Sequence, residues 1–382
     1  MKKQLVLVTG LAVLAAPAFA SKARLQALGE DVNGSFYIND NRNIFLNAAN
    51  VNNHKDLVTF ELGKDDTEGG VYRASGNMVY GVQFGRGNGF NDSLKDVDDF
   101  EYGAANTKLS TYKATNNLEL FVGGDAGIKW GAKLGYSQQE NDSFDQNSGT
   151  GTPTEDLVKA KTDAMDIALG VSQGNWSAFA NVAVGGETTH KSDTANIKLE
   201  RETAIDLGGS YQLNDYTLFA RYSMDGYKAT GDGTTVKEVE STDIQVGVGR
   251  STKLNDKASL FTRVSYNMNE SKDKTGGSED NETFLPVVVG LEFDATSWLT
   301  LRGSVSQNVI IGEDETKEDK ASKKVTATQA NSTIVAAGAS LKFGDLSVDG
   351  LISNTDGTNA PTDAGTIDSS NLMTRVSMTY RF

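Results

Sequence analysis

Along most of this chain, apolar and polar residues alternate one for one. In the last eleven residues, Leu372, Thr374, Val376, Met378, Tyr380 and Phe382 hold one parity, and Met373, Arg375, Ser377, Thr379 and Arg381 hold the other. A period of two puts successive side chains on opposite faces of a strand, here one face for an oily medium and one for a wet one. Followed back from the C-terminus, the pattern resolves into hairpins whose segments run about ten residues, the length that crosses a membrane as a tilted strand. Short turns join them at 123–127, 172–175, 213–215, 254–257, 294–297 and 343–345, built largely from Gly, Asn and Asp, which accept tight-turn backbone angles. Long polar connections fall near 87–115, 140–162, 188–201, 228–240, 271–282, 311–331 and 355–370.

Strict alternation of short and long connections predicts an all-β chain, a transmembrane antiparallel up-and-down β-barrel with short periplasmic turns and longer external loops. Seven long and six short connections place about 14 strands between Met78 and Phe382. Leu57–Gly63 and Val71–Ser75 read as one more hairpin, joined onward by Ser75-Gly76-Asn77, which gives about 16 strands. Fourteen strands with an internal hairpin is the alternative.

Parity assigns the faces. Ile128, Trp130, Ala132, Leu134 and Tyr136 face lipid on one strand; Tyr216, Leu218, Ala220, Tyr222 and Met224 on another; Leu260, Val264, Tyr266 and Met268, then Leu299, Leu301 and Val305, on two more. Trp176, Tyr211, Tyr216, Phe293, Trp298, Phe343, Tyr380 and Phe382 sit near short turns, where rings straddling the headgroup boundary form a periplasmic girdle. The lumen set carries Arg73, Lys129, Lys133, Arg221, Arg263, Arg302, Lys342, Arg375 and Arg381, with Glu61, Asp166, Asp206, Glu292 and Asp349. Unpaired charge is expensive in hydrocarbon and at home on an aqueous wall. Two readings of Arg221, Arg263, Arg302 and Arg375 stand side by side. They line a charged constriction that sets ion preference, or they are wall residues paired with acidic neighbours or with a plug.

The ends divide the chain. Lys2 and Lys3 precede a mostly apolar run, Leu5–Ala16, and Ala18-Phe19-Ala20 fits small-x-small cleavage. Residues 1–20 therefore read as a signal peptide, 21–55 as an N-terminal plug or periplasmic leader, and 56–382 as the barrel. The chain has no Cys, hence no disulfide, thiolate metal site or Cys nucleophile. Forty Gly and four Pro, with a mean hydropathy of −0.39, suit a wall whose apolar face takes one residue in two. The net charge of −15 becomes −17 without Lys2 and Lys3. That argues against nucleic acid as a partner and fits acidic external loops, either merely solubilising or sharing divalent cations with lipopolysaccharide.

A terminal strand ending on Tyr380-Arg381-Phe382, behind a signal peptide, resembles the outer-membrane β-barrel proteins of Gram-negative bacteria. The resemblance implies residence in the cell outer membrane and a terminal strand, with Tyr380 and Phe382, read by the barrel-assembly machinery. Ala23-Arg24-Leu25-Gln26-Ala27-Leu28-Gly29 and Asp40-Asn41-Arg42-Asn43-Ile44-Phe45-Leu46-Asn47-Ala48-Ala49 look like the opening of the fatty-acid-transporter type of barrel. There an Asn-Pro-Ala element stands where this chain has Asn47-Ala48-Ala49, and the segment forms a plug. The match is confined to this segment and carries over no ligand-binding residues. The whole chain is also similar to major outer-membrane proteins of Bdellovibrio-like deltaproteobacteria, which fixes no mechanism.

Enzymatic barrels need a His beside an acid or a Ser. The two histidines, His54 and His190, fall outside the alternating segments and read as solvated, so no catalytic role is expected. The acidic stretch Asp96–Glu101 lacks the ligand spacing of a calcium loop, and no metal or cofactor is expected. The leading expectation is a porin-like channel for passive diffusion of small hydrophilic solutes and ions. The bore would be narrowed by 21–55 or by an inward loop within 87–115, and homo-oligomers are compatible with it. Alternatives are uptake of hydrophobic molecules through a plugged barrel, or a structural or adhesive barrel acting through acidic surface loops.

Overall fold

Sixteen strands close into one ring in the computed structural model, which describes residues 21–63, 67–87, 101–102, 107–108, 116–146, 155–191, 196–308, 313–318, 323–328, 333–354 and 372–382. The first eight are β1 (Leu57–Gly63), β2 (Thr67–Ser75), β3 (Met78–Phe84), β4 (Leu118–Asp125), β5 (Lys129–Gln146), β6 (Glu155–Gln173), β7 (Trp176–Lys191) and β8 (Asn196–Arg201 continuing as Ala204–Leu213). The rest are β9 (Tyr216–Gly231), β10 (Thr234–Asn255), β11 (Ala258–Asp273), β12 (Glu279–Phe284 continuing as Pro286–Asp294), β13 (Leu299–Asn308), β14 (Ile334–Phe343), β15 (Leu346–Asn354) and β16 (Leu372–Arg381). Each pairs antiparallel with its sequence neighbours. The last joins the first, with Leu57 opposite Arg381 and Phe60 opposite Met378. The break in β12 falls at Pro286, which has no N–H to give to the ladder. Of the two counts considered, 16 is the one formed.

The short turns lie where expected, but several long connections are mostly strand. Instead of a loop over 228–240, β9 runs to Gly231 and β10 starts at Thr234, joined by Asp232-Gly233. Those two residues have φ of 47° and 82°, the positive pair that matches a two-residue turn to the twist of its strands. β5 and β6 likewise extend to Gln146 and from Glu155. A further hairpin, Glu313–Glu318 with Lys323–Thr328, pairs onto Glu279–Phe284. Polar composition misled the reading, because hairpins standing clear of lipid are wet on both faces and lose the alternation. Ala18, Ala20, His190's side chain and most of the inward-loop candidate 87–115 lie outside the described residues.

The faces follow parity. Phe60, Leu134, Tyr136, Leu169, Leu218, Tyr266, Val289 and Val305 all present large exposed surfaces outward, as do all eight girdle aromatics. Inward neighbours such as Glu61, Glu119, Lys133, Arg302, Asp349, Ser377 and Thr379 are buried. Arg73 departs from its expected place. Tyr72 points inward and is 1% exposed, so Arg73 points out, its side chain 67% exposed and 4.0 Å from Asp56. Its guanidinium lies 5.0 Å from the Phe382 ring, and Phe382 stacks on Tyr380 at 6.5 Å. Arg73 therefore belongs to the periplasmic aromatic girdle and not to the pore lining.

Segment 21–55 folds inside the ring. It comprises helix α1 (Lys22–Ala27), helix α2 (Asn43–Leu46) and a 3₁₀ turn (Ala48–Asn53), with most of its residues buried. Ser21 caps α1 by accepting from the Arg24 amide, and Asn47 caps the 3₁₀ turn by accepting from the Ala49 amide. Arg24 of this segment reaches Glu292 and Glu30 reaches Arg263, both on the inner face of the wall, so it occupies the bore as a plug would. Among the described residues no helix is long and apolar enough to cross a membrane; the crossings are made by strands.

The outward band predicts a depth-dependent penalty. Leu169→Arg, placed four residues above the β6–β7 turn, should lower folding stability in phospholipid vesicles by about 3 kcal/mol. A denaturant titration that showed no loss would contradict the assigned face.

Candidate functional site

The candidate site is the bore with its plug. The 3₁₀ turn lies against β4, β5 and β6 because three inward glycines, Gly123, Gly131 and Gly170, are register partners across these strands. A Cβ on Gly131 would collide with the Ala48 carbonyl, and one on Gly170 with the Asn47 side chain. The wall has been left smooth where backbone meets backbone. Asn47 then donates to Val171 O and Ala178 O at 3.4 and 3.2 Å, and Asn52 donates to Trp130 O at 2.8 Å.

On the opposite wall α1 packs against β13–β16 and carries Arg24 into a chain of ion pairs. Arg24 reaches Asp40 at 2.9 Å and grips Glu292 with two donors at 2.9 and 3.1 Å. Arg302 lies 2.9 Å from Glu292 and 2.7 Å from Asp349. A second network runs through Glu68, which takes Lys22 at 3.1 Å and also pairs with Arg42. A third links Arg86, Glu119, Lys133 and Asp166 by contacts of 3.0, 2.7 and 2.6 Å, with Arg86 donating to Asn33 at 3.0 Å. Arg42 and Arg86 both lie over the Phe45 ring, at 4.2 and 4.5 Å. Removing one member of such a buried pair strands the other, which costs more than the pair ever contributed.

The expected lumen residues are accordingly wall residues with partners. Arg221 pairs with Asp206 at 2.7 Å, and Asn181 donates to the same carboxylate at 3.0 Å. Arg263 lies 3.3 Å from Glu30 of the plug. Lys129 donates to Asn53 at 2.6 Å and Lys342 to Asp294 at 2.8 Å. Glu61 accepts from the Lys22 amide at 3.1 Å and from Ser377. Arg375 shares the inward parity of Ser377 and Thr379. No ring of unpaired arginines forms from Arg221, Arg263 and Arg302; pairing with acids and plug is what the geometry holds. Sequence reasoning passed over Arg24, Glu30, Asp40, Arg42, Glu68, Arg86 and Glu119. Glu119 was legible, being the polar member between Leu118 and Leu120. The plug charges gave no sign, standing in a segment already rich in Asn and other polar residues.

His54 corrects another expectation. It is 5% exposed, packed near Leu57, Phe45 and Tyr72, and neither ring nitrogen has a hydrogen-bond partner. Burial, together with the nearby cations Arg381, Lys129 and Arg24, pushes its pKa down to about 3, so the docked ring is neutral. Burial pushes the Glu30 and Asp40 carboxyls up, against the pull of Arg263 and Arg24.

Against these networks, one side of the bore stays open. A cavity of about 260 Å³ is lined by Glu30, Asp31, Tyr37, Arg221, Gln245 and Arg263, among others. A second, of about 450 Å³, sits at the short-turn end among Asn50, Asn53, Gln173, Asn175, Ser210 and Gln212. The first lies between the plug and β9–β11, the second between the plug and the short-turn ends of β4–β9.

No family model matches the chain, and no curated protein matches it. Solved structures similar to it include OmpT, an outer membrane protein of Vibrio cholerae, at 13% identity over 85% of this chain and 95% of that one, TM-score 0.34. A Pseudomonas aeruginosa FadL homologue aligns at 13% identity over 95% and 98%, TM-score 0.43. The Pseudomonas putida toluene transporter TodX aligns at 12% identity over 95% and 98%, TM-score 0.40.

Arg24→Ala takes the cation from Asp40 and leaves Glu292 with Arg302 alone, and should weaken plug docking by about 3–5 kcal/mol, seen as protease cleavage within 21–55 while the barrel stays intact. Acidification should also loosen the plug through His54. Released, the ring takes a proton below its ordinary pKa of 6.5; docked, it does not until about pH 3. Docking is thus untouched above pH 6.5 and loses about 1.4 kcal/mol per pH unit below it. Glu30 and Asp40 act in the opposite sense, so the check is the difference between wild type and His54→Gln. The two should converge at pH 7.5 and diverge by about 2 kcal/mol at pH 5.

Proposed function

We propose that this protein is a restricted outer-membrane channel, passing small hydrophilic solutes along one side of a fixed plug. A ring of 16 strands is wide enough to leave an aqueous channel when empty. Here most of that width is occupied. The walls of β1–β5 and β12–β16 meet the plug through buried ion pairs and close backbone contact, and their inward side chains are out of water. The observation that carries the reading is the remaining space. Two cavities meet at Phe36, one against β9–β11 and one against the short-turn ends of β4–β9, and the larger is lined mainly by amides and hydroxyls, with Asp125 and Lys129 among them. Such a lining solvates small polar molecules and gives a hydrocarbon chain nothing to bury against. The paired charges at Arg221 and Arg263 leave little net field to select ions by sign.

Planar bilayers and liposome swelling test this. The intact mature chain should give small ohmic steps and admit only the smallest sugars or polyols. Deleting 21–53 should raise conductance by about tenfold. Silence from the intact chain, with saturable binding of detergent or fatty acid, would replace this reading with hydrophobic uptake.

A further inference from the structure

The two cavities share one lining residue, Phe36. Along β9 the inward residues Thr217, Phe219 and Arg221 climb in steps of two from the short turn. Thr217 lines the lower cavity; Phe219 and Arg221 line the upper. The route therefore passes Phe219 at the height where Phe36 meets it. The rings stack with centroids 4.7 Å apart and planes 8° from parallel, and Phe179 lies beside them at 6.1 Å. Phe179 and Phe219 are buried members of the wall, whereas Phe36 is half-buried.

The backbone around Phe36 is pinned on both sides. The Ser35 amide donates to the Asn43 side chain at 2.8 Å. The Tyr37 hydroxyl donates to Glu30 at 2.9 Å, and Glu30 in turn holds Arg263. What remains free to move is the Phe36 side chain, held by an aromatic stack that a rotamer change undoes. An apolar ring between two wet cavities excludes water when closed and joins them when it swings aside.

We propose that Phe36 is the gate of the solute route, closing on Phe219, and that the route favours uncharged, hydrogen-bonding solutes such as small polyols. This rests on the restricted-channel reading above, and the experiment separates the two. The full mature chain is reconstituted in liposomes and planar bilayers, with glycerol and arabinose as probes of influx. Phe36→Ala should raise glycerol influx and conductance by about threefold or more, and Phe36→Trp should lower both. Phe36→Cys, the sole thiol in the chain, should open the route and then close again when a bulky alkyl methanethiosulfonate forms a mixed disulfide with it, releasing methanesulfinate, and reopen when dithiothreitol reduces that disulfide. That reversal is read on one folded population and is immune to differences in folding between variants. A conducting wild type whose Phe36 variants and thiol adduct leave influx unchanged would overturn the gate and leave the channel standing. A wild type that is silent while Phe36→Ala conducts would support it. Silence from every form would remove the channel and the gate together.

Discussion

Hydrocarbon offers no hydrogen bonds, so every amide and carbonyl at membrane depth must find a partner within the protein. Closure between β1 and β16 is the step that meets this demand, since an open ring would leave two rows of backbone groups in lipid. Once the ring is closed, parity does the rest. Each strand must turn one set of side chains to lipid and the other to the bore, and the charges can only go inward or to the interfaces. Arg73 shows the second choice, at the rim beside Phe382.

Sixteen strands enclose more space than wall side chains can fill. The plug answers this unevenly. Where it touches β4–β6 the wall is reduced to glycine and the contact is backbone to backbone; where α1 meets β13–β16 it is ionic and buried. Against β7–β11 the contacts are side chain to side chain, Phe36 on Phe219 and Glu30 on Arg263, and they leave spaces between them. The same segment thus braces the barrel in three ways: backbone on glycine, buried ion pairs, and an aromatic stack. A plug fixed by charge on opposite walls is costly to move as a body.

The ring itself was legible in the sequence because alternation, turn composition and the terminal aromatic all report the same constraint. The hairpin read as Leu57–Gly63 with Val71–Ser75 was legible too, its second strand starting earlier, at Thr67, though Arg73 was assigned to the wrong face: a large inward aromatic, Tyr72, beside an outward arginine inverts the usual rule. What could not be read was pairing across the bore. Arg24 with Glu292, or Arg263 with Glu30, joins residues hundreds of positions apart, and no local pattern encodes that. His54 looked solvated because it stood outside the strands; only the folded plug shows that it is sealed in. Phe36 had no mark at all, since its importance comes from which two spaces it separates.

The long strands on one flank carry the barrel beyond the membrane. β10 spans 22 residues, roughly 70 Å of strand at about 3.3 Å per residue, against an apolar band about 25 Å tall. Even tilted, much of it rises beyond the lipid, carrying β9 and β11 with it as a parapet. On that rise stand Glu238 and Glu240, both paired with Lys274, and Glu270, paired with Lys272. The outermost part of this flank is therefore a sheet wet on both faces, its charges matched by neighbouring side chains and held clear of the bilayer surface.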